Sequence, residues 1–389
     1  MGINILDEAV IFEDKKIYAA FPSIIKLNNN KCLISFRTAP KINKHYSHLH
    51  SLSKSMLAYV NLNNLKTEKV FEFAEEDDAA KQDAQLFRID EKTIMAYYFR
   101  YTFHPMNEKE LFKDFTFIEY DNTIALLSGI GVCISYDNGK SFSKPYIIKI
   151  DEDNFNIMKH FAARGSICKL NNELLFPIYA YKNNKNKNNS KYQCFIISSK
   201  DLINWKLKTF LCESDFKNIK SDFKNINGKK SKIEYAEPSL LNYKNNIIAF
   251  IRTHIDNEYG LTSISYLKDI KTSKNRDMIF SKPIFTDIKG YTLNPLILSN
   301  GKLLLTYGYR LKPYGVRGLI FDNPDDIFDI EKINYKANNE EIIIDSDMKS
   351  TDCGYPWCIE NDGIIYSVYY GYKDKNKIRK IYMKRFTLN

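Results

Sequence analysis

The chain has 389 residues, 44% hydrophobic and 14% aromatic, with 27 Tyr and 25 Phe, which is ample for a large core and biased toward strands. No long stretch carries helical periodicity and no apolar run reaches the roughly 20 residues a membrane span needs, so helix bundles and membrane-spanning helices are excluded. The net charge of +10 and pI near 8.9 favour an acidic partner. The lysines, however, sit mostly in Asn/Lys runs such as 182–191, which read as solvated loops, and no nucleic-acid module is present.

In chain order, the start Met1-Gly2-Ile3-Asn4-Ile5-Leu6-Asp7-Glu8 lacks a basic segment followed by an apolar run, so a cytoplasmic setting is expected. Seven scattered cysteines, odd in number and mostly inside apolar strands, read as reduced core residues. Glu8-Ala9-Val10-Ile11-Phe12 is a strand expected to pair with the closing run Ile381 to Phe386. A pattern of short strand, polar turn and apolar strand follows, and it is repeated six times. The copies start at Phe21-Pro22-Ser23, Asp83-Ala84-Gln85, Arg164-Gly165-Ser166, Glu237-Pro238-Ser239, Asn294-Pro295-Leu296 and Tyr355-Pro356-Trp357. Their spacings of 62, 81, 73, 57 and 61 residues are too long for a solenoid unit and suit a four-stranded propeller blade with variable loops. The expectation is an all-β, six-bladed β-propeller forming one domain over residues 1–389.

After the first copy comes a His-rich loop, 41–50, with His45, His48 and His50. The second copy closes on Ser135-Tyr136-Asp137-Asn138-Gly139-Lys140-Ser141-Phe142, which matches the Asp-box pattern S-x-D-x-G-x-x-[FW]. There the Asp caps backbone N–H groups of a turn and Gly139 supplies a positive φ. A degenerate version, Ser199-Lys200-Asp201-Leu202-Ile203-Asn204-Trp205, ends the third copy, and 183–190 and 214–230 read as low-complexity surface insertions.

In a propeller the innermost strands converge on one axis, so Phe21, Asp83, Arg164, Glu237, Asn294 and Tyr355 are expected around one end of a channel. The next strand ends in Arg37, Arg100, Arg252 and Arg310, with Arg317 shortly after. Several guanidiniums on one rim call for an anion, either a ligand or the protein's own acids, because a guanidinium keeps its charge and pairs bidentately with carboxylate. A Tyr beside a Glu can act as a nucleophile whose proton the carboxylate accepts, and Tyr is the known exception among glycosidase nucleophiles.

These residues resemble the sialidase (neuraminidase) superfamily of Asp-box propellers over nearly the whole chain. Tyr355-Pro356 with Asp362-Gly363 and Tyr369-Tyr370 resembles the segment around that family's nucleophilic Tyr, and Glu237 with Arg252 resembles its Glu activator and second carboxylate-binding Arg. The strand pair through Tyr314-Gly315-Val316-Arg317-Gly318 resembles the one bearing the third Arg, with Arg310 the alternative. The chain departs from the family pattern at Ala20, where the first triad Arg would stand, leaving Arg37 as the substitute. It also has no Asp or Glu between Arg37 and Glu68, so the acid/base role is open between His48, His50 and Asp83.

The resemblance implies a sialidase-like glycoside hydrolase acting on a terminal acidic sugar, with no cofactor or metal. Tyr355 and Glu237 would be its reacting pair, and the substrate-binding candidates are Arg37, Arg100, Arg164, Arg252, Arg310, Arg317 and Asn294. The alternatives are a polysaccharide lyase on uronic-acid glycans and a non-catalytic glycan-binding propeller.

Overall fold

The computed structural model describes residues 2–41, 49–112, 117–120, 122–150, 161–182, 191–213, 215–217, 231–244, 246–255, 258–267, 278–329 and 334–389. They fall into six antiparallel sheets arranged as a β-propeller. The innermost strands of the first two sheets are Ile17–Asn28 and Ala80–Arg88. The third sheet begins with the short pieces Phe161–Ala162 and Cys168–Leu170. Ser231–Tyr243, Tyr291–Ile297 and Gly354–Asn361 take the inner place in the other three. Ile3–Phe12 pairs with Lys380–Leu388 in the sixth sheet, Val10 opposite Tyr382, so the two ends of the chain close the ring as the sequence suggests.

The core lies between the sheets. One apolar cluster fills each of six interfaces, from Ile25, Leu57, Leu86 and Cys133 between the first and second sheets to Ile24, Phe36, Val368 and Met383 between the sixth and first. Each interface buries alternate side chains of both neighbours, which is why strand after strand reads apolar on both faces. All seven cysteines are buried free thiols. Among the described residues, no helix is long and apolar enough to cross a membrane.

The feature that builds a site is a bulge repeated in five inner strands. The pairing register slips between Ala20 and Ser23, Gln82 and Gln85, Ala236 and Ser239, Tyr291 and Asn294, and Gly354 and Trp357. The first bulged residue has a positive φ in every case: Phe21 (57°), Asp83 (46°), Glu237 (48°), Thr292 (31°) and Tyr355 (51°). A non-Gly residue held there costs about 1–3 kcal/mol, and a bulge re-aims its side chain out of the sheet's alternation. The strain is offset by bonds between neighbouring sheets: Leu86 N donates to Ser23 Oγ (2.9 Å), Ser166 N to Ser239 Oγ (2.9 Å) and Cys358 N to Asn294 Oδ1 (2.8 Å). At the third sheet the chain runs so close to the fourth that a Cβ on Gly165 (φ 133°) would meet Pro238 O at 2.1 Å.

This bulge corrects the repeat register in the fifth copy. Pro follows the strained residue directly in Phe21-Pro22, Glu237-Pro238 and Tyr355-Pro356, but Pro295 comes two residues later, so alignment on Pro slides the copy by two. Thr292, not Asn294, is the axial position.

Candidate active site

The bulged residues surround a cavity of about 300 Å³ at one end of the channel. Phe21, Asp83, Glu237 and Tyr355 line it directly, and Thr292 reaches it through Glu237. The cavity has two unlike walls. Glu237, Arg252, Arg310 and Tyr355 form one, contributed by the fourth to sixth sheets. Phe21, Leu49, Phe99, Tyr101, Ile118 and Tyr179 form the other, with Gln82 and Asp83 between them.

On the charged wall the Tyr355 hydroxyl donates to Glu237 Oε1 at 2.9 Å. Arg252 Nη1 donates both to the same carboxylate oxygen (2.7 Å) and to the Tyr355 oxygen (2.9 Å), while Thr292 Oγ1 donates to Oε2 (2.5 Å). Burial opposes the charge on Glu237, but Arg252 and the three donors outweigh it and hold the carboxyl down at about 2. Burial, reinforced by Glu237, pushes the Tyr355 phenol up to about 12, despite Arg252 and Arg310. In the free protein the proton therefore rests on Tyr355. Phe21 packs edge-on against Tyr355 (5.0 Å) and Tyr370 (5.1 Å), fixing the plane of the phenol.

Among the described residues, Asp83 is the one acid/base candidate that lines the cavity. Burial first, then Glu237, raise its carboxyl to about 7, against the pull of Arg164, Arg37 and Arg252. His50 is buried and its Nδ1 accepts from Leu52 N (2.9 Å), so that nitrogen shapes the turn instead of facing the cavity. His48 lies outside the described residues.

The arginines separate into two groups. Arg252 and Arg310 line the cavity. Arg252 Nη2 makes no hydrogen bond among the described residues; Arg310 has neither a hydrogen bond nor an ion pair among them, and its Nε is buried and unpartnered. The other four are spent elsewhere, each for a geometric reason. Arg37 stands opposite Ala20 as Arg252 stands opposite Ala236, yet it is fully buried and donates through Nε and Nη2 to Ser53 Oγ (3.1 and 2.7 Å). Arg100 is one residue past the equivalent place, Phe99, so strand alternation turns it away, onto Glu76 (2.5 Å) and Asp78 (3.2 Å). Arg164 crosses the channel floor: it donates to the Phe21 and Pro22 carbonyls (3.3 and 3.1 Å) and lies 5.0 Å from the Tyr355 ring centroid. Arg317, one strand further out, binds the carbonyls of Val316, Pro313 and Asp345, and it is Arg310, the alternative, that lines the cavity. Asn294 is likewise structural, through its bond from Cys358 N.

Sequence reasoning misses Thr292, Tyr291 and His254. Tyr291 underlies both cavity arginines, and His254 Nε2 accepts from Arg252 Nε at 2.8 Å. The i, i+2 spacing of Arg252 and His254 on one strand was the available signal.

The turns after the second and third sheets' inner hairpins have the geometry their sequences suggest. Asp137 accepts from Ser141 N (2.9 Å) and Ser141 Oγ (2.6 Å) and Gly139 has φ 84°; Asp201 accepts from Ile203 N (3.0 Å) and Asn204 N (2.8 Å). Neither Asp137 nor Asp201 lines the cavity.

No family model and no curated protein matches the chain by sequence. Among solved structures it is similar to a protein of unknown function from Dyadobacter fermentans, with TM-score 0.81 and 21% identity over 100% of both chains. It is similar to the Hadza microbial sialidase Hz136 at TM-score 0.61 and 12% identity, covering 95% of this chain and 66% of that one. It is also similar to Trypanosoma rangeli sialidase in complex with sialic acid, at TM-score 0.54 and 12% identity, covering 98% of this chain and 57% of that one. The chain thus has a sialidase-like fold and spans about two thirds or less of those two sialidases' length.

Proposed function

We propose that this chain is a sialidase-like glycoside hydrolase, a single six-bladed propeller over residues 1–389 with one blade per sheet, acting on a terminal acidic sugar. The observation that carries the reading is the 2.9 Å hydrogen bond from Tyr355 to Glu237, formed between residues 118 apart in sequence and present only because the channel brings them together. The two Asp-centred turns are read as its Asp-boxes.

Charge supports the acidic substrate. Four guanidiniums (Arg37, Arg164, Arg252 and Arg310) line or underlie the cavity against two carboxylates, Asp83 and Glu237, so the site keeps an excess of positive charge that a substrate carboxylate would reduce. A substrate carboxylate on Arg252 Nη2 and Arg310 would compete with Glu237 for Arg252. That competition raises the basicity of Glu237 when it is needed to accept the Tyr355 proton. Tyr355 would then attack the anomeric carbon while Asp83, still largely protonated below pH 7, gives its proton to the leaving oxygen. In the second half-reaction Asp83 takes a proton from water, the water oxygen displaces Tyr355, and Glu237 returns its proton to the departing phenolate, which restores the starting state.

A glycan-binding role without catalysis is favoured by one observation, the hold of Arg252 on Glu237 that keeps this carboxylate a weak base. Product analysis on acidic glycans decides: a hydrolase releases a reducing sugar, a lyase an unsaturated ultraviolet-absorbing product, a binder neither. Absence of a released sugar from every acidic glycan that binds would overturn the hydrolase reading.

A further inference from the structure

We propose that Tyr291 is a positioning residue whose ring holds the guanidiniums of Arg252 and Arg310 as a pair open to the cavity, so that one substrate carboxylate completes them. The inference rests on the acidic-sugar reading and adds the device that makes two like charges wait together.

The Arg252 and Arg310 guanidinium carbons lie 4.3 and 4.9 Å from the Tyr291 ring centroid. Both distances are within the range where the negative face of an aromatic ring attracts a cation. Tyr291 is 1% exposed and does not line the cavity, so it acts through the arginines. It occupies the position just before the bulge, where the other sheets place Ala20, Gln82, Ala236 and Gly354. Only the fifth sheet puts an aromatic ring at this point.

Two guanidiniums side by side repel, and proteins ordinarily answer with carboxylates. Here Glu237 answers one edge of Arg252, through Nη1, whereas no carboxylate among the described residues hydrogen-bonds or ion-pairs with Arg310, which Asp352 supports without such a contact and whose guanidinium carbon also lies 5.4 Å from the Tyr355 ring centroid. A carboxylate at 291 would neutralise the pair and compete with the substrate. An aromatic ring attracts both cations and leaves their N–H groups for a ligand. His254 serves the same end: it packs against Tyr291 (5.4 Å, 34° between planes) and accepts from Arg252 Nε. Burial and the adjacent Arg252 hold this imidazole down at about 4, so it supports the arginine as a neutral acceptor.

The test replaces Tyr291 in the full chain with Phe and then with phenylalanines of increasing ring fluorination, which keep the shape of the ring and drain its negative face. Calorimetric titration compares N-acetylneuraminic acid with its methyl ester. Expected are Tyr291→Phe within about threefold of wild type for the acid, a stepwise fall of about tenfold across the fluorinated series, and no such trend for the ester. Acid binding that stays level through the series overturns the platform and leaves the acidic-sugar reading standing. A wild-type protein that does not prefer the acid overturns that reading, and the clamp with it. The ligand-free protein gives an independent readout. The Arg252 and Arg310 Nε–H resonances should lie upfield through the ring current and move downfield in Tyr291→Leu, and resonances that stay put overturn the platform.

Discussion

The Arg37 and Arg252 positions are the same place in two sheets, each opposite the residue before the bulge, yet one guanidinium is enclosed and the other presented. Arg37 has no exposure and is held by Ser53, beneath Asp83. The Arg252 side chain keeps 17% of its surface and borders the cavity. The difference lies in what precedes and faces them. In the first sheet Phe21 takes the axial position and covers the floor with an aromatic edge, whereas in the fourth Glu237 takes it and draws Arg252 toward the cavity. A propeller repeats positions, and the residue at the bulge decides whether a repeated arginine supports the scaffold or borders the cavity.

The largest effect should come from the charged wall itself. Tyr355→Phe and Glu237→Gln should each lower kcat by about 10²–10⁴-fold with substrate affinity changed only a few-fold, because both groups are proposed to act in the transition state. Activity that instead follows the folded fraction in both variants would make the pair structural.

Next in size is the contrast between the two sets of arginines. Arg310→Ala should weaken binding of an acidic sugar by about 1.5–3 kcal/mol, the worth of a charged hydrogen-bonded contact. Arg37→Met should change affinity far less and instead lower the melting temperature, since it removes the two Arg37 hydrogen bonds to Ser53 Oγ and leaves the longer one from Gln82 (3.4 Å). Equal affinity losses in the two variants would erase the distinction between presented and enclosed guanidiniums.

The all-β propeller pattern, the pairing of the N-terminal strand with the closing strand and the meeting of Tyr355 with Glu237 were legible because each depends on strand pattern and chain order alone. The details of the rim were not. Alignment on Pro295 misplaced the fifth copy because the bulge is a backbone event that Pro accompanies in only three of five strands. Arg100 was misread because a one-residue offset reverses a strand side chain, and Arg164 because nothing local foretells a side chain spanning the channel floor. Tyr291 carries no motif that sets it apart among the 27 tyrosines of the chain.

Asp83 supplies the pH dependence. Its folded-state pKa is raised from 3.8 to about 7, so the folded protein binds the extra proton between those values and stability from this group falls as pH rises through that window. Asp83→Asn should flatten that segment of the stability profile. In turnover, kcat/KM should decline above pH 7 in the wild type as the acid is lost. Asp83→Asn should remove this limb and spare substrates with good leaving groups. A wild-type profile unchanged across pH 6–8 would move the acid/base role away from Asp83.

The smallest effect belongs to the far-side turns. Asp137→Ala should cost about 1 kcal/mol of stability, the usual loss for a side-chain cap of backbone N–H groups, with kcat/KM unchanged. A catalytic defect at full stability would contradict its placement outside the cavity.

The account turns on Tyr355 as the group that bonds to sugar. Incubation with a fluorinated acidic-sugar donor, which slows breakdown of a glycosyl-enzyme, followed by peptide mass spectrometry, tests this directly. One sugar per chain is expected on the peptide bearing Tyr355, and none in Tyr355→Phe. Release of the leaving group with no adduct, or an adduct on another residue, would contradict it.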